Sequence, residues 1–466
     1  MIQLHFGEAL PVFIYFIFLL YIGFRRRSRT RNEEEFIVGG RQLTLPAFIA
    51  TLVTTWYGGI LGVGEFTYLY GLSNWVVFGL PYYIFAILFA LFMAPRIQQS
   101  KLLSIPDQLY RHYGKKNGLI GTIYTFFMTL PAAYVLMLGL MIQIITNWPL
   151  WVCIILGTLF SMIYVLSGGF RSVVRTDKLQ FVLMFGGFFL MFGQLRFNYG
   201  GISFLRANLP PFHLSFHGGN SLQYILVWFF IALWTLIDPG FHQRCYAAKT
   251  PKTAQKGIFI SIFFWFVFDF LTTSTGLYAR ALLHDVEPAL CYPLLSHRIL
   301  SPVLSGLFLT GLLATIMSTL DSGFLLSAIT IGHDFIAKIK QNVPSPVKLT
   351  QTGLIISAVI SIIAALTFPS VIQLWYLIGT LFIPAMLVPV LGSYYSFFRL
   401  RPQLVGLNLI LPFMISLFFL LQSFRISPSF DQLRYWLNIQ PMYPGLMIST
   451  LILFISKIID KTIHKD

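Results

Sequence analysis

Four carboxylates interrupt apolar stretches of this 466-residue chain and are the first residues from which chemistry is expected: Glu65, Asp238, Asp269 and Asp321. An ionisable side chain at bilayer depth costs at least about 2.5–3.5 kcal/mol. All 32 Lys and Arg residues are predicted to lie in loops or at the ends of these stretches. Protonation, water or a bound cation must therefore stabilise the acids, and we favour a cation. For Asp269, a protonated acid bonded to a neighbouring helix is an equal alternative.

A stripe of hydroxyl side chains lies close to the last of these acids. Its members are spaced at i, i+3, i+4 and i+7, which places them on one face of a helix: Thr315, Ser318, Thr319 and Ser322. Oxygen ligands of this kind suit a hard monovalent cation such as sodium. The alternative is that the hydroxyls bond back to their own helix or join two helices.

The elements that carry these residues are predicted membrane helices. The chain is 56% apolar and 10% charged, whereas about a quarter of the residues of a soluble protein are charged. Three scattered cysteines indicate neither a disulfide framework nor a zinc site. The apolar runs predict an all-α integral membrane protein with about thirteen spans: Ala9–Phe24, Leu45–Tyr70, Trp75–Ala94, Leu119–Ile145, Leu150–Leu166, Leu179–Leu195, Leu222–Phe241, Gly257–Leu277, Ser301–Phe335, Thr350–Phe368, Val371–Phe397, Leu404–Ser423 and Met442–Ile458.

The distribution of positive charge predicts the orientation of these spans. Of the 32 Lys and Arg residues, 26 fall in odd-numbered connections or the C-terminal tail, and basic loops are typical of the cytoplasmic side. We therefore expect a multi-pass protein of the plasma or bacterial inner membrane with its N-terminus outside and its C-terminus inside. The net charge of +16 is explained by this topology and does not require nucleic acid.

Two spans contain glycine or proline beside a carboxylate, in Thr54–Glu65 and Leu233–Arg244. Either break alone would reflect the general frequency of Gly and Pro in membrane helices. Together, at corresponding places in two halves, they predict the midplane binding site of a transporter built from inverted repeats. The predicted parts of this single membrane domain are a peripheral first helix and basic loop (1–44), repeat one (45–195), repeat two (222–397) and peripheral C-terminal helices (404–466).

Signatures of an enzyme are missing from the sequence. It contains no GxSxG, HExxH or P-loop string. The nine histidines fall in loops or near span ends, which makes metal ligation by them unexpected. We expect neither catalysis nor a cofactor.

Five strings resemble the sodium/solute symporter family, which includes sodium-coupled carriers of sugars, proline and pantothenate. The resemblance runs through most of the chain, and the third and fifth strings are specific in combination: Gly39–Gly59, Ser104–Gly114, Ser167–Gln180, Asp238–Thr250 and Ala314–Ser322. It implies a LeuT-type core of two inverted five-helix repeats with two broken helices.

The resemblance also implies a sodium site. Carried onto this sequence, its ligands are the hydroxyls of Ser318 and Thr319 and the carbonyls of Thr54, Tyr57 and Thr315. Asp177 matches a family carboxylate on the route of sodium to the cytoplasm. Because Asp177 is predicted at a helix start, the alternative is a first-turn acid favoured by the helix dipole.

Departures from the family pattern bear on the solute. Trp56 stands where similar proline carriers have a carboxylate, and Leu61 where similar sugar carriers have glutamine. Trp56, Glu65 and Asp238 predict a binding site for a small neutral, zwitterionic or cationic organic solute. Without a basic residue inside a span, a simple anion would depend on helix N-termini alone.

The resulting prediction is a sodium-driven importer that works by alternating access, with sodium, the solute and the lipid bilayer as its partners. No obligatory protein partner is evident. A proton-coupled carrier would instead use Glu65 or Asp321 as the titrating group, and Asp269 and Asp321 are candidates for an additional cation or proton site. A transporter-like sensor, which would need a separate partner, is the third possibility.

Overall fold

The computed structural model describes residues 5–24, 32–340, 345–368, 370–428 and 433–463, and the basic run at 25–31 lies outside these ranges. Regular structure in this part of the chain is helical, with one isolated bridge between Leu43 and Ala248. The α-helices are α1 Phe6–Phe24, α2 Glu33–Val38, α3 Leu45–Trp56, α4 Ile60–Tyr70, α5 Leu80–Leu88, α6 Ala94–Ser100, α7 Ile105–Thr129, α8 Ala132–Thr146, α9 Leu150–Tyr199, α10 Ile202–Asn208, α11 Leu222–Ile231, α12 Trp234–Ile237, α13 Pro239–Ala247, α14 Pro251–Leu282, α15 Cys291–Ile299, α16 Pro302–Ile329, α17 Ala337–Ile339, α18 Pro346–Thr367, α19 Val371–Tyr394, α20 Pro402–Ile426 and α21 Met442–Ile463.

The apolar helices agree closely with the predicted spans. Twelve helical stretches in the described part of the chain are long and apolar enough to cross a membrane. The remaining predicted span, Leu150–Leu166, is a shorter apolar helix that runs directly into the next one. The difference from thirteen is therefore one of length, because Leu150–Leu166 has only 17 residues before the kink at Gly169.

The connections between spans gather on two faces of the molecule. On one face His333, at the end of the ninth predicted span, lies 2.8 Å from Glu33, after the first, and 3.0 Å from Asp107, after the third. Arg171, after the fifth, is paired with Glu35 at 2.7 Å. The odd-numbered connections represented here thus meet on a common face, as an alternating path through the membrane requires.

The opposite face joins even-numbered connections and the N-terminal end. The amide of Leu72 donates to the carbonyl of His213 at 2.8 Å, and His297 lies 2.9 Å from Glu8. The basic excess of the first face predicts that it is the cytoplasmic one.

Both predicted breaks are present. Between α3 and α4 the chain tightens to a 3₁₀ turn at Tyr57–Gly59. Between α12 and α13 Asp238 is extended, with φ −69° and ψ 119°, and Pro239 begins the next helix. Proline has no N–H to continue the preceding helix but fits the first turn of a new one. The two breaks leave backbone groups available away from the helix ends.

Asp177 does not lie at the start of a helix, contrary to the sequence interpretation. It falls inside the fifty-residue helix α9, which is kinked at Gly169 (φ 54°, ψ −153°) rather than interrupted by a loop. A Cβ at Gly169 would lie 2.6 Å from the carbonyl oxygen of Phe36, so the kink depends on glycine. Asp177 is fully buried, and a helix dipole does not account for it.

Helix α16 lies at the centre of the molecule. Of the membrane-length helices, its stretch Pro302–Ile339 is the most buried, at 83%, against 28% for Met442–Thr462. It contacts α9 extensively and also packs against α1, α3, α8 and α18. The hydroxyl stripe is thus enclosed by other helices and does not face lipid.

The predicted orientation can be tested with single cysteines in a background lacking Cys153, Cys245 and Cys291, which are buried. We expect Lys115→Cys, on the basic face, to react with an impermeant maleimide only after right-side-out vesicles are permeabilised. Glu287→Cys, also exposed, should react in intact vesicles. The reverse pattern would contradict the orientation.

Candidate functional site

Asp177 is bonded to hydroxyls from two helices. The hydroxyl of Thr51, on α3, donates to Oδ2, and Ser318 Oγ, on α16, donates to Oδ1 at 2.6 Å. All three residues are fully buried. The carboxylate therefore connects the broken helix to the hydroxyl stripe, and these oxygens are suited to a hard cation.

Thr319 meets the broken helix at its turn. Its Oγ1 donates to the carbonyl oxygen of Thr55 at 2.7 Å and lies 3.5 Å from that of Thr54. This approach requires Gly58, because a Cβ there would lie 2.0 Å from Thr319 Oγ1. A hydroxyl and two carbonyl oxygens thus converge at the break.

The remaining predicted ligands belong to the same neighbourhood but use their side chains elsewhere. Thr315 Oγ1 donates to Gly311 of its own helix at 2.7 Å, as the alternative interpretation of the stripe expected. The phenol of Tyr57 donates to the carbonyl of Trp265 at 3.0 Å. Since the predicted ligand atoms of Thr315 and Tyr57 are carbonyl oxygens, sodium binding by them stays a prediction.

The expectation that no basic residue lies within a span is wrong for Arg244. The seventh span continues through the break to Ala247, so Arg244 lies on α13 inside the helix bundle and is fully buried. The apolar run ends near Phe241, which is why hydropathy placed Arg244 in a loop. The fold contains an internal positive charge that the sequence interpretation lacked.

The guanidinium of Arg244 binds the hydroxyl network that also holds Asp177. Its Nη2 donates to Ser322 at 2.7 Å, Thr55 at 2.9 Å and Thr51 at 3.1 Å. Thr51 accepts from Arg244 and donates to Asp177, so one hydroxyl bridges the two charges. Arg244 Nε is buried and has no hydrogen-bond partner among the described residues.

A cavity of about 200 Å³ opens beside this network. Thr55, Thr319, Ser322 and Arg244 form part of its wall. Nine aromatic side chains supply much of the rest: Trp56, Tyr57, Phe78, Tyr82, Tyr134, Trp228, Trp234, Phe241 and Trp375. Predominantly apolar walls with a few placed polar groups are typical of a small-molecule site.

Trp56 and Asp238, both predicted to contact the solute, line this cavity. The ring of Trp56 packs edge-on against Tyr82, with centroids 4.9 Å apart. Asp238 accepts from Trp234 Nε1 and from the amide of Phe241, each at 2.7 Å, and so caps α13. The cap fixes the carboxylate at the wall of the cavity.

Asp269 also lines the cavity, although its span has no other distinguishing feature. It accepts a hydrogen bond from the hydroxyl of Tyr83. Two carboxylates and one guanidinium are thus the charged groups in the lining.

The other two acids lie elsewhere. Glu65, on α4, is not among the cavity residues. The two oxygens of Asp321 accept from Ser161 at 2.5 Å and Tyr164 at 2.6 Å, and this acid is also outside the cavity. Asp321 joins α16 to α9, as expected of a buried polar group between membrane helices.

Comparison with known proteins identifies the family. The sequence model of the Sodium:solute symporter family matches residues 36–398. The chain belongs to this family. The match contains both broken helices, Asp177, Arg244 and the hydroxyl stripe.

Relatives and solved structures agree with this assignment. The sodium/pantothenate symporter of Haemophilus influenzae is 25% identical over 439 residues, which cover 86% of this chain and 89% of that protein. The human high affinity choline transporter 1 is 29% identical over 199 residues, covering 40% of this chain and only 34% of the transporter. A Na⁺-coupled sialic acid symporter in a substrate-bound outward-open state has a TM-score of 0.79 at 17% identity, with 97% of each chain covered.

These findings confirm the predicted family and the all-helical, LeuT-type fold of this symporter. The protein is a multi-pass membrane transporter of the sodium-coupled class. Sequence reasoning missed Arg244, Thr51 and Thr55 in the site. Extending the seventh predicted span beyond Asp238–Pro239 would have placed Arg244 inside the helix bundle. Nothing in the sequence distinguishes Thr51 and Thr55 except that they lie near the first break.

Gly58→Ala tests the close packing of α16 against the break. The added methyl group would overlap Thr319, so we expect a destabilisation of about 1–3 kcal/mol, measured in detergent by thermal unfolding. Gly186→Ala is the matched control, because its Cβ would have no atom within 4 Å. Equal melting temperatures for the two variants would contradict the proximity of Gly58 and Thr319.

Proposed function

We propose that this symporter couples the inward movement of sodium to the import of a small zwitterionic solute, bound in the aromatic cavity beside Arg244. The observation that carries the proposal is that Asp177 and Thr319 both bond to the broken helix, with Ser318 bonded to Asp177 and Thr319 in the wall of that cavity. Sodium coupling is the property of the family, and the residues assigned here are the proposal.

The sodium ion would bind between α3 and α16. Its ligands would be the hydroxyls of Ser318 and Thr319 and the carbonyls of Thr54, Tyr57 and Thr315. The Thr319 hydroxyl now donates to the carbonyl of Thr55 at 2.7 Å. This hydroxyl keeps its two lone pairs, so its oxygen could bind sodium while its proton stays on the Thr55 carbonyl. Asp177 is the neighbouring carboxylate from which sodium would leave.

Arg244 connects the ion network to the solute cavity. It shares the hydroxyl of Thr51 with Asp177 and forms part of the cavity wall. Its buried Nε–H has no hydrogen-bond partner among the described residues, and an unpaired buried donor is costly. A carboxylate on the solute would pair with this guanidinium. An anionic group on the solute therefore does not depend on helix N-termini alone.

The rest of the cavity favours a positive group at the other end of the solute. Trp56, Trp234 and Trp375 present aromatic faces or edges to the cavity, and cations bind tryptophan faces within about 6 Å of the ring centroid. Asp238 and Asp269 add negative charge. A human relative is a choline transporter, and choline carries such a cationic group.

Transport would proceed by alternating access of the cavity to the two sides of the membrane. The sodium gradient and a membrane potential worth about 2.3 kcal/mol per charge per 100 mV would drive uptake. Coupling requires that sodium and solute stabilise the same conformations. Helix α3 belongs to both sites, since it supplies Thr54 to the ion and Trp56 to the cavity.

The division of the chain into inverted repeats, predicted from the sequence, is part of this proposal. Residues 45–195 and 222–397 would be the inverted repeats, with 1–44 and 404–466 at the periphery and the N-terminus outside. Each repeat would contribute one broken helix. Proton coupling is the alternative, and uptake that follows pH and ignores sodium would support it.

Titration of sodium against thermal unfolding tests the ion site without knowledge of the solute. At constant ionic strength, with potassium as the control cation, sodium should stabilise the purified protein by about 2.7 kcal/mol at a hundredfold excess over Kd. Ser318→Ala/Thr319→Ala should abolish this stabilisation because it removes two ligands.

Ser361→Ala is the control for the loss of a buried hydroxyl, since Ser361 Oγ has no hydrogen-bond partner among the described residues. It should keep the response to sodium. Sodium stabilisation that survives in the double variant would contradict the assigned ligands, and its absence from the wild type would contradict sodium coupling.

Glycine betaine and choline form a matched pair for testing the solute class, because both carry a trimethylammonium group and only betaine carries a carboxylate. We expect the wild type, in sodium, to bind betaine more tightly. Arg244→Gln should weaken betaine binding roughly 10- to 150-fold, the equivalent of a charged hydrogen bond of about 1.5–3 kcal/mol, and leave choline binding nearly unchanged. Competition or calorimetric titration measures both.

Arg171→Gln is the control variant. It removes a positive charge from a partly exposed ion pair with Glu35 and should not change the preference for betaine over choline. Equal loss of both ligands in Arg244→Gln, or tighter binding of choline by the wild type, would contradict a zwitterionic solute. Sodium stabilisation measured on the same variant distinguishes failure of the solute assignment from failure of sodium coupling.

A further inference from the structure

A second cluster of ionisable side chains lies at the end of α16, away from the cavity. His333, in the π-helical turn Thr330–Ile336, places Nδ1 2.8 Å from Glu33 Oε1 on α2. Its Nε2 is 3.0 Å from Asp107 Oδ2 on α7 and 3.8 Å from Asp334 Oδ1. Ligand-type atoms of Asp107, His333 and Asp334 all lie within 4.8 Å of one another.

The partners of these carboxylates leave one oxygen of Asp334 unsatisfied. Lys338 Nζ is 2.7 Å from Asp107 Oδ1, and Ser104 Oγ donates to Asp334 Oδ1 at 2.5 Å. Asp334 is fully buried, and its Oδ2 has no hydrogen-bond partner among the described residues. A buried carboxylate oxygen without a partner calls for a water or an ion.

A small cavity beside the cluster is a separate sign of a ligand. Asp334 and Ser104 line it together with Thr330 and Gln243, and its volume is about 10 Å³. This is close to the smallest space that holds one water. The unsatisfied carboxylate thus borders room for one further oxygen atom, such as a water bound to an ion.

We propose that Asp107, His333 and Asp334 form a binding site for a divalent transition-metal ion, with Zn²⁺ as the best match to one imidazole and two carboxylates. Zinc–nitrogen and zinc–oxygen bonds of about 2.0–2.2 Å place adjacent tetrahedral ligands roughly 3.3–3.5 Å apart. The separations of 3.0 and 3.8 Å from Nε2 lie on either side of that value. A water would complete the coordination.

Glu33 has the position of a supporting carboxylate. Histidines that bind metals almost always donate their other ring N–H to a carboxylate, carbonyl or water, which fixes the ring and its tautomer. Glu33 Oε1 accepts from Nδ1 of His333, which leaves Nε2 for the ion. Metal binding would release the Nε2 proton, so the ion would replace the proton that now bridges His333 and Asp107.

The site would affect transport through α16. The same continuous helical stretch, Pro302–Ile339, carries Ser318 and Thr319 at its centre and the cluster at its end. A metal would cross-link this end to α7. We therefore expect bound metal to stabilise the present arrangement and to slow transport, whether the coupling ion is sodium or a proton.

The experiment uses the full-length protein in detergent after treatment with a chelator. Zn²⁺ titrated by calorimetry should bind once per chain, and Co²⁺ should give the visible absorption of a tetrahedral nitrogen and oxygen site. His333→Gln and Asp334→Asn should abolish both signals. Glu33→Gln should weaken binding about 10- to 100-fold, the usual effect of losing a supporting carboxylate.

His297→Gln is the matched control, because His297 pairs with Glu8 at 2.9 Å on the opposite face and forms no such cluster with the residues that the structure describes. Its metal affinity should equal that of the wild type. If Asp334→Asn does not fold, two measurements still test the metal site. They are the metal affinity of Glu33→Gln, which changes a partly exposed residue, and the Co²⁺ spectrum of the wild type. Absence of saturable Zn²⁺ binding, or equal affinity in His333→Gln and wild type, would overturn the site and leave a protonated histidine bridging carboxylates.

Discussion

The interior of this symporter depends on one constraint, which is that a fully buried guanidinium and a fully buried carboxylate must find partners without water. Arg244 and Asp177 both bind hydroxyls of α3 and α16, with Thr51 shared between them. An uncompensated buried charge is strongly destabilising, and breaking a buried pair leaves one behind. The positions of α3, α13 and α16 are therefore set by hydrogen bonds as much as by apolar packing.

The helix breaks are what make this arrangement possible. An unbroken membrane helix satisfies its own backbone groups and offers its neighbours only side chains. At Tyr57–Gly59 the carbonyls of Thr54 and Thr55 are reached by Thr319, and at Asp238 the chain restarts as a helix that carries Arg244 into the bundle. Backbone oxygens, hydroxyls and charge consequently meet beside a cavity that aromatic rings enclose.

Helix α16 connects regions of the molecule that hydropathy alone would treat as separate. Its centre supplies the hydroxyls at the break, Asp321 joins it to α9 through Ser161 and Tyr164, and its end carries the His333 cluster. Because one helix takes part in all three, a displacement at either end would also move Ser318 and Thr319. The burial of this helix also explains why its polar residues are compatible with the membrane.

The sequence by itself determined the apolar spans, both breaks and the hydroxyl stripe, because these depend on local composition and helical spacing. The pairing of Ser318 and Thr319 with the first break came from the resemblance to the family. Only the tertiary structure decided which acids reach the cavity. Asp238 and Asp269 do, whereas Glu65 and Asp321 do not line it, and Asp321 bonds to α9 instead. Hydropathy sums properties along the chain and cannot tell which side of a helix faces a neighbour, so Arg244 was assigned to a loop and Asp177 to a helix start. Contacts between distant segments place both residues in the buried interior of the helix bundle instead.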